Sequence, residues 1–261
     1  MSWFRKSKSR EEKDKQYIEL CRQEHSSVSQ FLQADQREGC FIEVGANEPV
    51  SENSQTWHLE QSGWYGLLIE PIGELCELAR SQRPRSQVAQ AVCVDESQVG
   101  QARLMIPRRD GQAHHNMASL TVDRHQSART DFDELVVRAA TLGQLVDEHQ
   151  ITEVDFLSID VEGHEMGVLR GAELDRLRPR LILLEDDWVY MDKHRYLKQF
   201  GYRLAHRTGR LNSWYVRSDV NGPVLGWLQR LNNWQRFFIG IWPRKIRRAI
   251  RSGSLEPLRR L

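Results

Sequence analysis

Five short apolar runs, separated by stretches long enough for a helix, constrain the fold of this chain more than any other feature. Runs of this length, bounded by turn residues, are typical of buried parallel strands in a βαβ series. They predict an α/β fold with a doubly wound, mostly parallel sheet. Two later runs flank a turn at residues 208–210 and predict an antiparallel hairpin at one edge of that sheet. The five runs are residues 40–44, 66–70, 88–94, 154–159 and 181–184, and the hairpin runs are residues 202–206 and 213–216.

The length and charge of the chain limit what surrounds this sheet. With 261 residues, of which 39% are hydrophobic, the chain accommodates one α/β domain with short additions. The pattern predicts a helical extension at residues 1–38, the α/β domain at 39–218 and a basic amphipathic tail at 219–261. Within the extension we expect a helix over residues 10–34 and frayed residues before it. The formal net charge of +1 gives no global attraction to nucleic acid, which is therefore not an expected partner.

The cysteines and the hydropathy pattern predict a cytoplasmic protein. Cys21, Cys40, Cys76 and Cys93 lie far apart and form no CxxC pair, which is typical of reduced thiols rather than of zinc sites or disulfide frameworks. A charged stretch rather than an apolar one follows Met1, so no secretory signal is expected. No stretch approaches the roughly 18 apolar residues that a membrane-spanning helix needs.

Residues 41–49 form the first candidate ligand site, because a strand leads there into a turn and then a helix. A dinucleotide needs several glycines for close approach of its pyrophosphate, but this turn contains only Gly45, and Glu48 would repel the phosphates. An acid at the strand end, Glu43, suits a ligand that carries an ammonium and a sulfonium, as S-adenosylmethionine does. The residues of this turn that we expect to contact the cofactor are Glu43, Gly45, Ala46 and Asn47.

Two further strands end in acids that suit the rest of the same ligand. Glu70, followed by Pro71, ends the second run, where a carboxylate can accept hydrogen bonds from both ribose hydroxyls. Asp95 follows the third run and is expected near the adenine edge. For both acids the alternative is a helix cap at the strand-to-helix turn.

The run at residues 154–159 leads directly into three acids and a histidine, which we expect beside the first turn. Together these motifs resemble the FkbM family of methyltransferases over about residues 41–216. The resemblance implies the class I methyltransferase fold, S-adenosylmethionine as donor, and O-methylation, often of sugars in polysaccharides, glycolipids or natural products. The chain departs from the family pattern at Glu48-Pro49 and at Glu43, where aspartate is commoner. The residues that carry the resemblance are Glu43-Val44-Gly45-Ala46-Asn47, Gly63-Trp64-Tyr65-Gly66-Leu67-Leu68-Ile69-Glu70-Pro71, Ile159-Asp160-Val161-Glu162-Gly163-His164-Glu165 and Val168-Leu169-Arg170-Gly171.

The second motif suits methyl transfer to a hydroxyl. A sugar hydroxyl is weakly acidic, so a base must accept its proton as the new bond forms. We expect His164 to be that base, because histidine is suited to proton transfer near neutral pH. Asp160 is expected to contact the methyl donor or position the acceptor, and Glu162 to orient the acceptor. The alternative for His164 is a residue at a helix start that only shapes the pocket.

A long polar segment at residues 107–131 is expected to be a lid or an irregular loop. In it, Ser119 is expected to help close the cofactor site, whereas His114 and His115 are expected to be exposed. No metal is predicted, although hard oxygen ligands leave a magnesium site as a weaker alternative. The acids of that alternative are Asp160, Glu162, Glu185, Asp186 and Asp187.

Residues from Pro223 onward alternate apolar and basic side chains at helical spacing. Two uses stay open for this tail. It can contact an anionic membrane, which would place the protein at the inner face of the membrane, or pack on its own domain or on a second copy in a homo-oligomer.

The sequence therefore predicts an S-adenosylmethionine-dependent O-methyltransferase that acts on a hydroxyl of a sugar, polysaccharide or glycolipid. The alternative is a non-catalytic nucleotide-binding or scaffold protein that keeps this fold. The combined acids favour activity, because a pocket that has lost turnover has no physical need for them.

Overall fold

The structure is a computed structural model. It describes residues 10–109, 112–120, 131–186, 191–208, 212–221, 226–239 and 241–253. The described helices are α1 (Arg10–Leu32), α2 (Trp57–Gln61), α3 (Gly73–Gln82), α4 (Leu142–Glu148), α5 (Glu165–Arg170), α6 (Leu174–Leu177), α7 (Asp192–Gln199), α8 (Trp227–Phe238) and α9 (Ile241–Ser252). The described strands are β1 (Cys40–Val44), β2 (Tyr65–Glu70), β3 (Ser86–Gln90), β4 (Val92–Cys93), β5 (Gly100–Arg109), β6 (Gln112–Ala113), β7 (Asp131–Ala140), β8 (Phe156–Ile159), β9 (Leu181–Glu185), β10 (Tyr202–Thr208) and β11 (Asn212–Arg217).

The main sheet has seven strands in the order β3-β2-β1-β8-β9-β11-β10. The pairs from β3 to β9 are parallel, and β11 runs antiparallel to both of its neighbours. This arrangement confirms the predicted doubly wound, mostly parallel sheet and the antiparallel hairpin at one edge. The strand order reverses at β1, which lies between β2 and β8, and ligands bind at such a reversal in open α/β sheets.

The core lies on both faces of this sheet. Along β1, the alternating residues Ile42 and Phe41 belong to separate apolar clusters on opposite faces. Helices α4, α5, α6 and α7 supply apolar side chains to the Ile42 cluster, whereas α1, α2 and α3 supply them to the Phe41 cluster. A strand that is buried on both faces needs apolar residues at every position, which is why these strands are continuous apolar runs in the sequence.

A second sheet, in the order β4-β7-β5-β6, was missed by the sequence analysis. The predicted strand at residues 88–94 is wrong as a single element, because the chain leaves the main sheet after β3 and forms β4 against β7. The segment at residues 107–131 begins and ends within the antiparallel pair of β5 and β7. The alternation of inward and outward side chains along β5 could have revealed this sheet, because Leu104 and Ile106 are buried and the intervening Met105 is not.

Helix α1 has nearly the bounds that were predicted and packs on the core. Val28 and Leu32 are fully buried in the Phe41 cluster. Glu24 fixes the same helix to β11, since its carboxylate accepts hydrogen bonds from Asn212 and from the Trp214 indole. The predicted frayed residues before α1 lie outside the described residues. No helix in the described part of the chain is both long enough and apolar enough to cross a membrane.

Candidate active site

A large cavity opens where the strand order reverses, at the carboxyl ends of β1, β2 and β8. Its volume is about 1380 Å³, which exceeds the roughly 300–1,000 Å³ of a typical small-molecule pocket, so two ligands can share it. The predicted site residues that line it are Glu43, Gly45, Ala46, Asn47, Glu70, Pro71, Ser119, Asp160, Glu162 and His164. The structure therefore brings together every predicted site residue except Asp95.

The turn after β1 requires glycine. Gly45 has a φ of 85°, and a Cβ built on it would lie 1.9 Å from the Asp160 carbonyl oxygen. Its amide donates to the Ile69 carbonyl at 3.0 Å, as does the amide of Ala46 at 3.2 Å. The turn thus joins the ends of β1, β2 and β8 through close backbone contacts that any side chain at position 45 would disrupt.

Glu70 is a buried carboxylate at the edge of the cavity. One oxygen accepts the Asn47 amide at 2.9 Å and the other accepts the Ile72 amide at 3.0 Å. Burial raises the pKa of Glu70, while the hydrogen bonds from these two backbone amides oppose that rise. Ile72 directly precedes α3, so Glu70 both supports the helix start, as in the alternative interpretation, and lines the cavity. Each oxygen keeps a second lone pair for a ligand hydroxyl.

We expect Glu70→Ala to weaken binding of S-adenosylhomocysteine, the demethylated form of the donor, by about 10- to 100-fold, since hydrogen bonds to a charged group contribute about 1.5–3 kcal/mol. Titration calorimetry measures the change directly. The matched control is Glu74→Ala, which alters an exposed acid in the first turn of α3 that does not line the cavity. Equal affinity in Glu70→Ala and the parent would remove Glu70 from the binding site.

Glu43 lines the cavity, but its carboxylate already accepts hydrogen bonds from neighbouring residues of the protein. The carboxylate oxygens accept hydrogen bonds from Ser54, from the amide of Gln55 at 2.7 Å and from Thr56. Burial raises the pKa of Glu43, and nearby Arg83 opposes this rise. From its position at a strand end this acid was expected to face a cationic ligand, whereas in the structure its hydrogen bonds hold residues 54–56 beside the cavity.

Three acids, Asp160, Glu162 and Glu185, face the cavity from the ends of β8 and β9. Asp160 and Glu162 are accessible from the cavity, yet the surrounding protein removes much of their hydration. This loss of hydration, together with the charges of Glu185 and Glu165, raises the pKa of Glu162 to about 7. Asp160 and Glu185 share a hydrogen bond, and desolvation raises the pKa of both. Because two close carboxylates resist double ionisation, this pair retains a proton near neutral pH.

His164 lies at the start of α5 and lines the cavity. Its Nε2 is buried and makes no hydrogen bond to any of the described residues, and the ring lies so close to Gly167 that a Cβ there would be 2.1 Å from Nε2. Burial lowers the pKa of His164 below its ordinary value of 6.5, although Glu165 and Asp95 oppose this. The imidazole is therefore neutral near pH 7 and shapes the pocket wall, and its role as base stays a prediction.

Two predictions about the segments around the cavity need correction. Asp95 caps a short 3₁₀ helix by accepting the Ser97 amide at 3.0 Å and does not line the cavity, so the cap alternative describes its position. His114 and His115, expected to be exposed, are half-buried and line the cavity. Ser119 lines it as well, and its hydroxyl donates to the Glu162 carbonyl at 2.9 Å.

The magnesium alternative has no support in the described residues, where no group of three or more acidic, histidine or cysteine side chains is arranged to hold a metal ion. Asp186 instead forms an ion pair with Lys193 at 3.3 Å. Asp187 lies outside the described residues.

The sequence profile of one protein family, described as the methyltransferase FkbM domain, matches residues 43–204, which is more than half of the chain. The chain belongs to the FkbM methyltransferase family. This membership confirms the predicted family and the presence of a methyltransferase domain. No protein of curated function is detectably similar to the chain.

Three solved structures resemble the chain in part. Methyltransferase FkbM from Methylobacillus flagellatus KT is 12% identical, with 68% of this chain and 43% of that chain covered and a TM-score of 0.42. The precorrin-6y C5,15-methyltransferase from Geobacter metallireducens GS-15 is 10% identical, with 74% and 85% covered and a TM-score of 0.37. The MycE methyltransferase of the mycinamycin pathway, solved with Mg and SAH, is 10% identical, with 85% and 55% covered and a TM-score of 0.41. The family assignment therefore rests on the profile match alone.

Helix α1 supplies cavity residues that the sequence analysis missed, and it lies outside the part of the chain that matches the family. Tyr17, Leu20 and Cys21 line the cavity from this helix. Loss of hydration raises the pKa of Tyr17, as do Cys21, Asp160 and Glu185, which line the same cavity. The helical spacing of Tyr17, Leu20 and Cys21 was visible in the sequence, but it predicted only that this face of the helix packs on the core. Cys21 is buried, whereas Tyr17 and Leu20 are exposed.

Proposed function

We propose that the protein transfers a methyl group from S-adenosylmethionine to a hydroxyl of a sugar, polysaccharide or glycolipid. The observation that carries the proposal is one cavity that joins two chemically different halves. Gly45 and Glu70 line it at the ends of β1 and β2, and Asp160, Glu162 and Glu185 line it at the ends of β8 and β9. Methyl transfer requires two reactants in line, and a shared cavity can hold both.

The residues of the first half fit the donor. Glu70 offers carboxylate oxygens to ribose hydroxyls, and Gly45, which also lines the cavity, lets the turn after β1 pack closely against the end of β8. Apolar side chains, including Ile69, Leu75 and Leu104, provide a wall suited to an adenine ring. When bound, the donor supplies a methyl group on a sulfonium, and the acid-rich surroundings favour that positive charge.

The second half suits an uncharged acceptor with several hydroxyls. Carboxylates are strong hydrogen-bond acceptors, and a sugar presents many hydroxyl donors to them. A group with a pKa near 7 suits a general base at neutral pH, so Glu162 is well matched to accept the hydroxyl proton. Tyr17 and Leu20 of α1 line the same cavity, where they can limit which acceptor enters.

The first test is calorimetric titration with S-adenosylhomocysteine, with NAD as the control. Saturable binding of S-adenosylhomocysteine alone is expected, followed by transfer of label from methyl-labelled S-adenosylmethionine to free sugars, polysaccharides or lipid-linked sugars. Binding without transfer to any of these would favour the non-catalytic alternative. Transfer to an acceptor that lacks a sugar would contradict the proposed substrate class.

The pH dependence of turnover should identify the base. If Glu162 is the base, kcat/KM rises with pH through about 7, because the carboxyl is protonated below its pKa and cannot accept a proton. Glu162→Gln should then lower kcat by about 100-fold or more and remove this limb. If His164 is the base, the limb lies below 6.5, where the lowered pKa places it, and His164→Ala removes it instead. S-adenosylhomocysteine affinity should be unchanged in Glu162→Gln, as a check on the pocket.

A further inference from the structure

Helices α8 and α9, which lie outside the family match, combine positive charge with exposed apolar side chains. Neither helix contains an aspartate or glutamate, and α9 alone has five basic residues in twelve. Isolated apolar residues are common on protein surfaces, but a group of them on neighbouring helices marks a contact surface. The basic residues of α9 are Arg244, Lys245, Arg247, Arg248 and Arg251.

Three exposed apolar side chains of each helix fall on one face, and Leu228, also exposed, flanks the row in α8. The spacings i, i+4 and i+7 in α8, and i, i+4 and i+8 in α9, place each set in one row along its helix. Exposure reaches 73% for Trp227 and 75% for Ile250, although both are large and apolar. We call these six residues the tail face: Trp227, Leu231, Trp234, Trp242, Ile246 and Ile250.

Helix α9 presents this face while a different side is packed against protein. Lys245 and Ala249, four residues apart, are buried, and the Lys245 ammonium lies 5.4 Å from the centroid of the Trp242 ring. Arg247 and Arg248 are exposed on the remaining side. The helix therefore has a packed side, an exposed apolar side and a basic side.

We propose that the tail face binds the surface of an anionic lipid bilayer. Aromatic and aliphatic side chains enter the boundary between headgroups and acyl chains, while arginines contact lipid phosphates. A second copy of the chain is a poorer occupant, because a symmetric contact sets the same surface against itself and would bring arginines towards arginines. This proposal does not depend on the sugar acceptor, since it concerns where the protein sits rather than what it methylates.

Co-sedimentation of the full chain with vesicles tests the proposal. We expect binding to vesicles of phosphatidylcholine mixed with phosphatidylglycerol, weaker binding to phosphatidylcholine alone, and a loss of binding at high salt because salt screens the charges. Equal sedimentation with and without anionic vesicles would overturn the proposal. So would a concentration-dependent dimer that the tail variants abolish while vesicle binding stays absent.

Two variants separate the apolar and basic contributions. Ile246→Asp with Ile250→Asp should weaken binding to the anionic vesicles at least about tenfold by placing acids on the apolar side. Arg247→Glu with Arg248→Glu should weaken it about a hundredfold, through lost attraction and added repulsion.

The matched controls are Val136→Asp and Arg103→Glu, which alter exposed residues of the second sheet. Both should bind vesicles like the parent, and all four variants should keep the parental S-adenosylhomocysteine affinity if they are folded. Vesicle binding that survives both tail variants would overturn the proposal.

Discussion

Gly45→Ala is expected to abolish measurable S-adenosylhomocysteine binding and to lower stability. The added Cβ would lie 1.9 Å from the Asp160 carbonyl oxygen. The backbone fixes the position of both atoms, so no side-chain rotation can relieve the clash. The end of β1 must therefore move away from β8, and the cavity is built on these two strand ends. Calorimetry gives the loss of affinity, and urea unfolding gives the loss of stability.

Gly201→Ala is the matched control for this substitution. Gly201 has a φ of 78°, close to the 85° of Gly45, but a Cβ there would have no atom of the described residues within 4 Å. It shares the strain of a left-handed backbone, about 1–2 kcal/mol for a residue with a Cβ, without the collision. We expect Gly201→Ala to be mildly destabilised and to bind S-adenosylhomocysteine normally. If both variants lose the same stability and both keep binding, close approach at Gly45 is not needed by the site.

Arg83→Met is expected to cause the largest loss of stability, about 3–5 kcal/mol, which is typical when one partner of a buried ion pair is removed. The Arg83 side chain is fully buried, and its Nε donates to the Glu60 carboxylate at 2.6 Å. Its other nitrogens donate to the Pro49 carbonyl and to the Ser54 and Thr56 hydroxyls. The substitution would leave the Glu60 charge buried without its partner.

The control is Arg80→Met, three residues earlier in α3, where the guanidinium is exposed and pairs with exposed Glu77. Such a surface pair contributes about 0–1 kcal/mol, so this variant should unfold almost like the parent. The double substitution Arg83→Met with Glu60→Met should recover part of the lost stability, because the unpaired charge is then gone. Equal midpoints in urea for Arg83→Met and Arg80→Met would show that the buried pair contributes little.

The same cluster explains how far the site depends on residues that sequence analysis did not single out. Ser54 and Thr56 each contact both the Arg83 guanidinium and the Glu43 carboxylate. Arg83 thereby helps to hold the loop beside the cavity, although it lies 40 residues after Glu43 in the sequence. Nothing in local spacing marks Arg83, because its partners come from separate parts of the chain that only the fold brings together.

Some elements followed directly from local pattern. Strands β1, β2, β8 and β9 are buried on both faces, so each is a continuous apolar run that the sequence displays. The second sheet was harder to recognise, because β5 and β7 have one solvated face and carry charges and Pro107 within their alternation. The predicted strand at residues 88–94 failed for another reason, since one apolar run serves two different sheets.

The α/β class, the family and the strand-end positions of Glu43, Gly45, Glu70 and Asp160 could all be predicted from the sequence, because they depend on short-range pattern. Which polar groups already have hydrogen-bond partners became visible only in the folded chain. There the Glu43 carboxylate binds a neighbouring loop, Asp95 caps a short helix, and Tyr17 of α1 lines the cavity. Hydration, hydrogen bonding and pKa depend on which distant segments surround a side chain, and spacing along the chain does not contain that information.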